Sequence, residues 1–549
     1  MKEVGNQKMH DQLKGTEPGQ LTSGSVGVLA AEKVMRAEDV ATAAQGNMHS
    51  TQAVSSPMAS QRPWDMVQAR KWAPNVNATD FSTIFPEHDG VIPQEQLLEL
   101  ANDQLDQFMA KTQTSKKMQD KGKKHMPFGV FGSYQKDWET PHLFYAEKCM
   151  GAKLWDVDGN EYVDFNFGDT PAMFGHGPEN PAIEAAARRM LVDGISPMMG
   201  TEDQHDATAL LADRFGLPQW MHALSASDAN RYAFAIARHH TGRQNIAIPN
   251  FTYHGTIDET QKMMPEPGVI SRYHDMGLYF TPVDMGTKIF NWNDLASVEE
   301  VLADRTVACV VMEPVMSNFG WAWPEPGWHA SVKALCEKYG SLLLYDETHT
   351  ISAGPNGMVG EMEMKGDYDF WTCGKCISSG FPGAVFGMSE EIAQKMAHDQ
   401  HVVGFLAGAG LGFIGNALTG NTISTLALKV TLEEVFTPEG FKPMLDRVAQ
   451  MKKGMEASIE KYKAPFRIET MGNRLCYHFI PEAVSDPIAG LVQVGFGGLF
   501  ELSHFMAWNR GYLIMPFFNM ILVAPQHTEE EINGWLDCWD DFVRIAMGK

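Results

Sequence analysis

Four stretches of this 549-residue sequence place reactive side chains directly after an apolar run. The first is residues 372–382, TCGKCISSGFP, in which Lys375 lies between a predicted strand and a Gly/Ser loop. Apolar neighbours would partly desolvate this lysine and favour its neutral amine, which can attack a carbonyl carbon. The stretch therefore predicts a nucleophilic lysine, although a solvent-exposed loop lysine is the commoner case.

The second stretch is LLLYD, residues 342–346, which ends in Asp346. A carboxylate at the end of a buried strand is costly unless a partner neutralises it. The protonated nitrogen of a pyridine ring would pair with it, and the ring would then act as an electron sink. The alternatives are an aspartate that caps the next turn and a metal ligand, since Glu347 follows directly.

The third stretch, SASDAN at residues 225–230, follows a predicted strand and opens a predicted helix. Ser225, Ala226 and Ser227 are small enough to let a ligand approach the backbone. A helix N-terminus with two hydroxyl groups can hold a phosphate. An ordinary helix cap would use the same residue types.

The fourth stretch is Tyr253, His254 and Gly255, again after a predicted strand. An aromatic ring at this place could stack on a planar ligand. The alternative is an ordinary buried tyrosine.

Apolar runs that alternate with amphipathic helices must position these side chains. We predict strands at residues 220–224, 245–249, 306–312, 341–345, 370–373 and 383–388, and helices at 181–191, 228–240 and 328–339. This alternation is typical of an α/β fold with a mostly parallel sheet and helices on both faces. Ligands of such sheets bind at the carboxyl ends of the strands, where all four stretches lie. Upstream, residues 153–164 predict a β-hairpin with Asp158 and Gly159 in its turn.

Composition argues against several classes of partner. Lys and Arg number 44 and Asp and Glu 68, so the net charge of −24 repels nucleic-acid phosphates and anionic membrane surfaces. No apolar run reaches the roughly 20 residues that span a bilayer, and no secretory or transit signal is evident. Seven cysteines favour free thiols in the cytoplasm. Cys373 and Cys376 lack the second pair of a zinc ribbon, so we predict no metal site.

The order of the four stretches, with Glu313 and Pro314 between the fourth and the second, resembles the class III aminotransferases of pyridoxal-phosphate fold type I. Within that family, the sequence is most similar to the branch containing glutamate-1-semialdehyde aminomutase. The most specific matches are WDVDGNEYVD at residues 155–164, FGH at 174–176, EPV at 313–315 and GK at 374–375.

The resemblance covers roughly residues 95–549 and implies a domain organisation. A large sheet domain would occupy residues 192–436, and residues 95–191 and 437–549 would together form a smaller α+β domain. Residues 1–94 would be an N-terminal extension. Its first 63 residues contain no aromatic residue and are predicted to be mostly disordered.

The resemblance also implies pyridoxal 5′-phosphate as cofactor and Lys375, Asp346 and Tyr253 as catalytic residues. Lys375 would bind the cofactor covalently and shuttle a proton, Asp346 would pair with the ring nitrogen, and Tyr253 would stack on the ring. The implied cofactor-binding residues are Lys375, Asp346, Ser225, Ala226, Ser227, Tyr253, His254, Thr348, His349 and Thr419. In that set Ser225, Ala226 and Ser227 would hold the phosphate. Thr348 would cover the second ring face and His349 would lie near the ring hydroxyl, whereas Thr419 would substitute for a threonine that reaches the partner subunit's phosphate.

Several positions depart from the aminomutase pattern. Asp169 stands where the aminomutase usually has a tryptophan, Gln135 where it has the arginine for the substrate carboxylate, and Ala353 where an arginine often occurs. A glutamate near the C-terminus falls on Asn519 or Met520. We therefore expect a substrate different from that of the aminomutase. We predict that Asp169 lies at the entrance of the site and favours a cationic or amine-bearing substrate; the alternative is a surface aspartate in a turn.

Residues and resemblance together predict an aminotransferase that moves an amino group from a primary amine or amino acid to a 2-oxo acid by a ping-pong mechanism. We expect a homodimer with the site at its interface. An aminomutase or an ammonia-lyase with the same cofactor is the alternative. Of other classes, GLGFIG at residues 410–415 leaves an NAD-dependent dehydrogenase open, and a non-catalytic binding protein with the same fold is the last alternative.

Overall fold

A computed structural model describes most of the chain from residue 90 onwards. The described residues are 90–132, 134–135, 140–194, 198–266, 269–272, 286–318, 320–403, 414–483, 498–516 and 518–549. The predictions made for residues 1–63, and for most of the GLGFIG stretch, lie outside these ranges.

Strands occur throughout the described chain. They are β1 (Ala146–Met150), β2 (Lys153–Asp156), β3 (Glu161–Asp164), β4 (Gln219–Ala223), β5 (Asn245–Pro249), β6 (Lys262–Glu266), β7 (Val269–Arg272), β8 (Thr287–Phe290), β9 (Val307–Met312), β10 (Leu342–Asp346), β11 (Phe370–Cys373), β12 (Ala384–Met388), β13 (Arg467–Met471), β14 (Arg474–His478), β15 (Tyr512–Leu513) and β16 (Met520–Leu522).

Helices separate most of these strands. They are α1 (Gln94–Lys111), α2 (Gln113–Gly122), α3 (Pro181–Val192), α4 (Glu202–Phe215), α5 (Ala226–Thr241), α6 (Leu295–Leu302), α7 (Trp328–Tyr339), α8 (Gly357–Glu361), α9 (Glu390–Val403), α10 (Thr422–Val430), α11 (Pro438–Tyr462), α12 (Leu499–Asn509) and α13 (Glu529–Ala546).

The predicted elements of the sheet region agree with the structure to within two residues. The strand at 245–249, the helix at 328–339 and the strand at 370–373 have the predicted bounds. The largest difference is α5, which begins at Ala226 rather than at Asp228. The reason is that Ser225 acts as the N-cap: its hydroxyl oxygen accepts a hydrogen bond from the Asp228 amide at 3.1 Å, so Asp228 already lies in the first turn.

The large sheet has seven strands in the order β4-β12-β11-β10-β9-β5-β8. Only β12 runs antiparallel to its neighbours, so the predicted mostly parallel sheet is confirmed. Its strands are buried on both faces. In β10, Leu343 packs into one hydrophobic cluster, together with Val332 of α7. Leu344 packs into another, together with Ala233 of α5. Each fully buried apolar side chain contributes roughly 1.5–3 kcal/mol, so these runs specify a sheet with helices on both faces.

A third hydrophobic cluster combines residues from the two ends of the described chain. Phe108 of α1, Tyr162 of β3, Trp508 of α12 and Trp539 of α13 all belong to it. The predicted hairpin is present, since β2 and β3 pair antiparallel. Gly159 in its turn has a φ of 89°, a left-handed conformation that favours glycine. The division into a large and a small domain stays a prediction.

The described chain shows no sign of a membrane span or a metal cluster. No helix within the described ranges is long and apolar enough to cross a membrane. Among the same residues, no group of three or more His, Cys, Asp or Glu side chains is placed to hold a metal ion. All seven cysteines are free thiols, and six of them are buried.

Candidate active site

The carboxyl ends of β4, β5, β9, β10 and β11 meet along one edge of the large sheet, because these strands run in the same direction. A cleft with a volume of about 330 Å³ lies at this edge. The sequence-predicted residues that line it are Ser225, Ala226, Ser227, Tyr253, His254, Asp346, Thr348, His349 and Lys375. The topology therefore brings together all four stretches that the sequence singled out.

Asp346 lies at the end of β10 and is almost fully buried. Its Oδ2 accepts a hydrogen bond from Asn230 Nδ2 at 2.8 Å and lies 3.0 Å from His254 Nδ1. Its Oδ1 accepts from the Thr348 amide at 3.0 Å and from the Thr348 hydroxyl at 2.6 Å. We call these four residues the Asp346 cluster. The contacts of Oδ1 show that Asp346 also caps the next turn, which was one of the alternatives.

The Asp346 cluster keeps a buried carboxylate ionised. Burial by itself would raise the pKa of Asp346, but the hydrogen bonds with His254, Thr348 and Asn230 outweigh it, so its pKa lies below the ordinary value. A buried anion on a strand end is what a protonated ring nitrogen needs as a partner.

Glu347 does not share a site with Asp346. Its carboxylate accepts hydrogen bonds from the amides of Met358 and Val359 at the start of α8 and from the indole of Trp371. Burial raises the pKa of Glu347 to about 7. Since Glu347 holds α8 in place, the alternative of a metal site shared by Asp346 and Glu347 is not supported.

Lys375 follows β11 in a left-handed backbone conformation, with a φ of 52°. Its side chain is only 23% exposed, and its amine contacts Asp169 Oδ2 and His349 Nε2. Gly374 lets the end of β11 approach the start of α5, because a Cβ there would lie 3.0 Å from the Ala226 amide nitrogen. The predicted partial burial of Lys375 is therefore present, although its nearest partners are polar.

Asp169 lies in a backbone segment of unusual conformation, which we call the Asp169 turn. Four successive residues have positive φ: Phe167 at 48°, Gly168 at 64°, Asp169 at 61° and Thr170 at 93°. Each non-glycine residue in this region costs about 1 kcal/mol or more. Such strain persists only where the surrounding structure enforces it, and it is typical of functional segments.

Charged neighbours surround the carboxylate of Asp169. Burial would raise its pKa, but the positive charges of Lys375 and Arg474 and the contact with the His349 ring hold it well below the ordinary value. Oδ2 faces the Lys375 amine and lies 3.4 Å from His349 Nε2. Oδ1 is buried and has no hydrogen-bond partner among the described residues. Asp169 is therefore not an ordinary surface aspartate.

Arg474, on β14, is fully buried behind the Asp169 turn. Its guanidinium donates to the Thr170 hydroxyl at 2.6 Å and to the Ser352 hydroxyl at 3.2 Å. It pairs with no carboxylate within salt-bridge distance in the described chain. Arg474 thus supports the turn from behind and adds positive charge near Asp169.

His349 lies between the lysine and the interior. Its Nε2 contacts the Lys375 amine, and its Nδ1 lies 2.7 Å from the hydroxyl oxygen of Ser317. Burial, assisted by the charge of Lys375, lowers the pKa of His349 to about 4. The ring is therefore neutral near pH 7, with one nitrogen that donates and one that accepts.

Comparison with known proteins identifies the family. The family model described as Aminotransferase class-III matches residues 134–499, about two thirds of the chain. The chain belongs to the class III aminotransferase family. A glutamate-1-semialdehyde 2,1-aminomutase of Chloroflexus aggregans is 26% identical over 71% of this chain and 88% of the relative. The family match includes residues 410–415, which argues against a dinucleotide site there.

Solved structures agree with this assignment. A glutamate-1-semialdehyde aminomutase from Pseudomonas aeruginosa is 31% identical, with a TM-score of 0.77 over 82% of this chain and 99% of that chain. A lysine-to-alanine variant of it, in complex with PMP, has a TM-score of 0.78 over 83% of this chain and 100% of that chain. Fold type I and the aminomutase-like branch are thereby confirmed, and pyridoxal 5′-phosphate is the cofactor.

The cleft of this family member fits that cofactor. The Asp346 cluster offers an anion for the ring nitrogen and Lys375 offers an amine. For the phosphate, the start of α5 presents free backbone amides and the hydroxyls of Ser225 and Ser227. Gly255 keeps this place open, since a Cβ there would lie 2.2 Å from Ser227 Oγ.

Two sequence-predicted residues are absent from the cleft lining: Asp169, whose carboxylate contacts the lining residue Lys375, and Thr419. The Thr419 hydroxyl accepts a hydrogen bond from the Asn416 amide at 2.9 Å. The prediction for Thr419 concerned the partner subunit's phosphate, so it stays a prediction.

Sequence reasoning missed the roles of Asn230, Ser317 and Arg474. Asn230 lies in the SASDAN stretch, one turn into α5, and a buried amide facing the strand end could have been inferred from its helical position. Ser317 and Arg474 gave no comparable signal, because their contacts join segments that are far apart in the sequence.

Proposed function

We propose that this class III family member moves an amino group by aminomutase-type chemistry, returning the group to a different carbon of the same small molecule. The relatives support this choice, since the similar curated proteins are named glutamate-1-semialdehyde 2,1-aminomutases. The observation that carries an amino-group reaction is the Lys375 amine in the same cleft as the ionised Asp346.

In this proposal each cleft residue has a defined task. The bound cofactor supplies the electron sink. Lys375 tethers the cofactor and then moves a proton at the reacting carbon. Asp346 keeps the ring nitrogen protonated, and the start of α5 holds the phosphate. Tyr253, half-buried in the cleft lining, stacks on one ring face, while Thr348 covers the other.

Transamination between two molecules is the second candidate. The observation that favours it is the loss of aminomutase substrate positions, with Asp169 where a tryptophan is usual and Gln135 where an arginine binds the carboxylate. A ping-pong reaction of a primary amine or amino acid with a 2-oxo acid needs the same cofactor and lysine. Ammonia release would be a third outcome of the same machinery.

Asp169 would select the substrate in either case. Its side chain is 38% exposed and its Oδ2 faces the Lys375 amine. Once Lys375 is joined to the cofactor, Oδ2 loses this charged partner and can accept a hydrogen bond from a substrate ammonium or amine. We therefore propose an amine-bearing substrate, held by Asp169 beside the reacting carbon.

The active unit in this proposal is a homodimer with the site at its interface, in which Thr419 reaches the partner subunit's phosphate. Seven free thiols agree with a reducing, cytoplasmic compartment. Sedimentation equilibrium of the protein loaded with pyridoxal 5′-phosphate, called the loaded protein below, tests the dimer. A monomer that is fully active would contradict it.

One assay separates the candidate reactions. The loaded protein is mixed with single amines, amino acids and glutamate-1-semialdehyde, and the cofactor spectrum and the products are recorded. An aminomutase converts one compound to its isomer without an acceptor and leaves the cofactor unchanged. An aminotransferase stops after one amine per site until a 2-oxo acid is added. Absence of any cofactor response across the panel would contradict the proposed function.

A further inference from the structure

A continuous chain of polar contacts leads from the cleft into the interior. Lys375 contacts His349 Nε2, and His349 Nδ1 lies 2.7 Å from Ser317 Oγ. Ser317 Oγ lies 2.5 Å from Glu313 Oε2. His349, Ser317 and Glu313 are all less than 7% exposed. We call these three residues the relay.

Glu313 is fixed at the inner end of the relay. It follows β9, and its Oε1 accepts hydrogen bonds from the Ser317 amide and from Asn318 Nδ2, each at 3.2 Å. Burial raises the pKa of Glu313 to about 7. This carboxyl group can therefore gain or lose a proton near neutrality without leaving its place.

The single hydroxyl hydrogen of Ser317 couples Glu313 to His349 at the two ends of the relay. Ser317 can donate this hydrogen to only one neighbour at a time. When Glu313 is ionised, Ser317 must donate to it and accept from His349 Nδ1–H, which leaves Nε2 as an acceptor towards Lys375. When Glu313 is protonated, the directions reverse and Nε2 carries the hydrogen.

We propose that Glu313 and Ser317 are positioning residues that set the tautomer of His349, and that the relay carries one proton between Lys375 and Glu313. In the forward direction a proton passes from Lys375 Nζ to His349 Nε2. The Nδ1 hydrogen passes to Ser317 Oγ, and the hydroxyl hydrogen passes to Glu313. No electrons are exchanged, and Lys375 becomes neutral while Glu313 loses its charge.

This transfer deepens the proposed function and rests on it, because Lys375 can take a proton from a carbon only while its amine is neutral. The relay makes the amine neutral without water, since it moves the lysine's own proton to Glu313. The other charged or titratable groups near its ends are His254 and Asp346 at Glu313, and Lys375, Asp169 and Arg474 at His349.

Nitrogen-15 NMR of the full-length, histidine-labelled protein tests the tautomer directly. The His349 signals are assigned by their loss in His349→Gln. Spectra are then compared at about two pH units above and below neutrality. Each of these steps changes the ratio of ionised to protonated Glu313 about a hundredfold. Freed of cofactor, the wild-type protein should carry the hydrogen on Nδ1 at high pH and on Nε2 at low pH. An unchanged tautomer would overturn the proposal.

Variants separate the relay from a merely structural contact. Ser317→Ala should abolish the pH-dependent switch, and Ser317→Thr should retain it. In Glu313→Gln the amide oxygen faces the Ser317 amide and Asn318, so the NH2 group donates to Ser317 and should fix the Nε2 tautomer at every pH. A switch that persists in Ser317→Ala would overturn the relay. If that variant does not fold, Glu313→Gln decides the question, because a persistent switch there contradicts the relay equally.

A kinetic measurement links the relay to turnover. In the loaded protein, Ser317→Ala should lower the rate constant of the half-reaction with an amine about tenfold. This is less than the roughly hundredfold loss expected when a group that transfers the proton at the reacting atom is removed, because Ser317 acts only through His349. The KM should change little, and the inflection near neutral pH should disappear. Unaltered kinetics would contradict a role in proton transfer. If no amine reacts at all, the proposed function fails while the NMR result on the tautomer still stands.

Discussion

Asp346 and Asp169 are two aspartates of one site that keep their negative charge in different ways. Asp346 ends a buried strand and is held by hydrogen-bond partners from α5, His254 and Thr348. Asp169 lies in a strained turn, is partly exposed, and is held by the charges of Lys375 and Arg474 and by the contact with His349. Both have pKa values below the ordinary range, although desolvation alone would raise them.

The two aspartates therefore differ in whether the reaction involves their surroundings. We call the Asp346 cluster the constant side of the site, and Asp169 with its neighbours Lys375, His349 and Arg474 the variable side. None of the residues that contact Asp346 is the amine that reacts, so the surroundings of Asp346 are not part of the amino-group reaction. The partners of Asp169 include the reacting lysine, whose charge must change. A family can therefore keep the Asp346 cluster for the cofactor and use the position of Asp169 to adapt the substrate.

Removing Lys375 tests the variable side most strongly. Lys375→Ala should abolish amino-group transfer and all covalent attachment of the cofactor, while Asp346 still binds it reversibly. Hydride trapping, digestion and peptide mass measurement check the attachment. Lys442→Ala, at a lysine whose side chain is 71% exposed on α11, is the matched control and should behave as wild type. A pyridoxyl mass on any peptide of the Lys375→Ala variant would identify a different attachment site.

Neutralising Asp346 tests the constant side. Asp346→Asn keeps the shape but removes the anion, so the rate of amino-group transfer should fall at least about a hundredfold, as for the loss of one preorganised electrostatic group. Lys375 should still take up the cofactor covalently, which mass measurement after trapping shows. A rate close to that of the wild type would mean that the ring nitrogen does not depend on Asp346.

The constant side is also the part that the sequence predicts well. Apolar runs specify β9 and β10, and a charged residue directly after such a run must lie at the sheet edge. Asp346 and the start of α5 could therefore be predicted to lie at this edge before the structure was known, and so could Lys375 of the variable side. Their position follows from local patterns that the burial of Val, Ile and Leu enforces.

The variable side could be predicted only in part. Asp169 was singled out because it departs from a family pattern, but the next residue of its left-handed turn, Thr170, contacts Arg474, some 300 residues later in the chain. Ser317 likewise gains its role only when β9 and β10 are adjacent. Contacts between distant segments leave no periodicity in the sequence, and for this reason Arg474 and Ser317 were missed.

Changing Asp169 should produce a smaller effect that depends on the substrate. Asp169→Asn should raise the KM for amine substrates about tenfold, equivalent to about 1.4 kcal/mol, because it removes a negative charge facing the substrate nitrogen. Steady-state kinetics over several amines checks this. Asp213→Asn, at an exposed aspartate outside the cleft, is the control. An unchanged KM for every accepted amine would end the idea that Asp169 selects the substrate.

The smallest expected effect comes from Thr348, which donates one hydroxyl hydrogen bond to Asp346 at 2.6 Å. Thr348→Val removes this bond but keeps the amide contact, so the free energy of unfolding at neutral pH should fall by about 1 kcal/mol. Thr348→Ser keeps the hydroxyl and should stay close to the wild type.

The effect of Thr348 should also depend on pH. Because the pKa of Asp346 is lowered in the folded state, the ionised carboxylate stabilises the fold above the ordinary aspartate range near pH 4, and this stabilisation is lost as pH falls. The deficit of Thr348→Val should therefore be constant from neutrality to about pH 4 and shrink below it. Denaturant titrations across this range measure the deficit, and a deficit that stays unchanged below pH 4 would show that Thr348 stabilises the protein by packing rather than through the charge of Asp346.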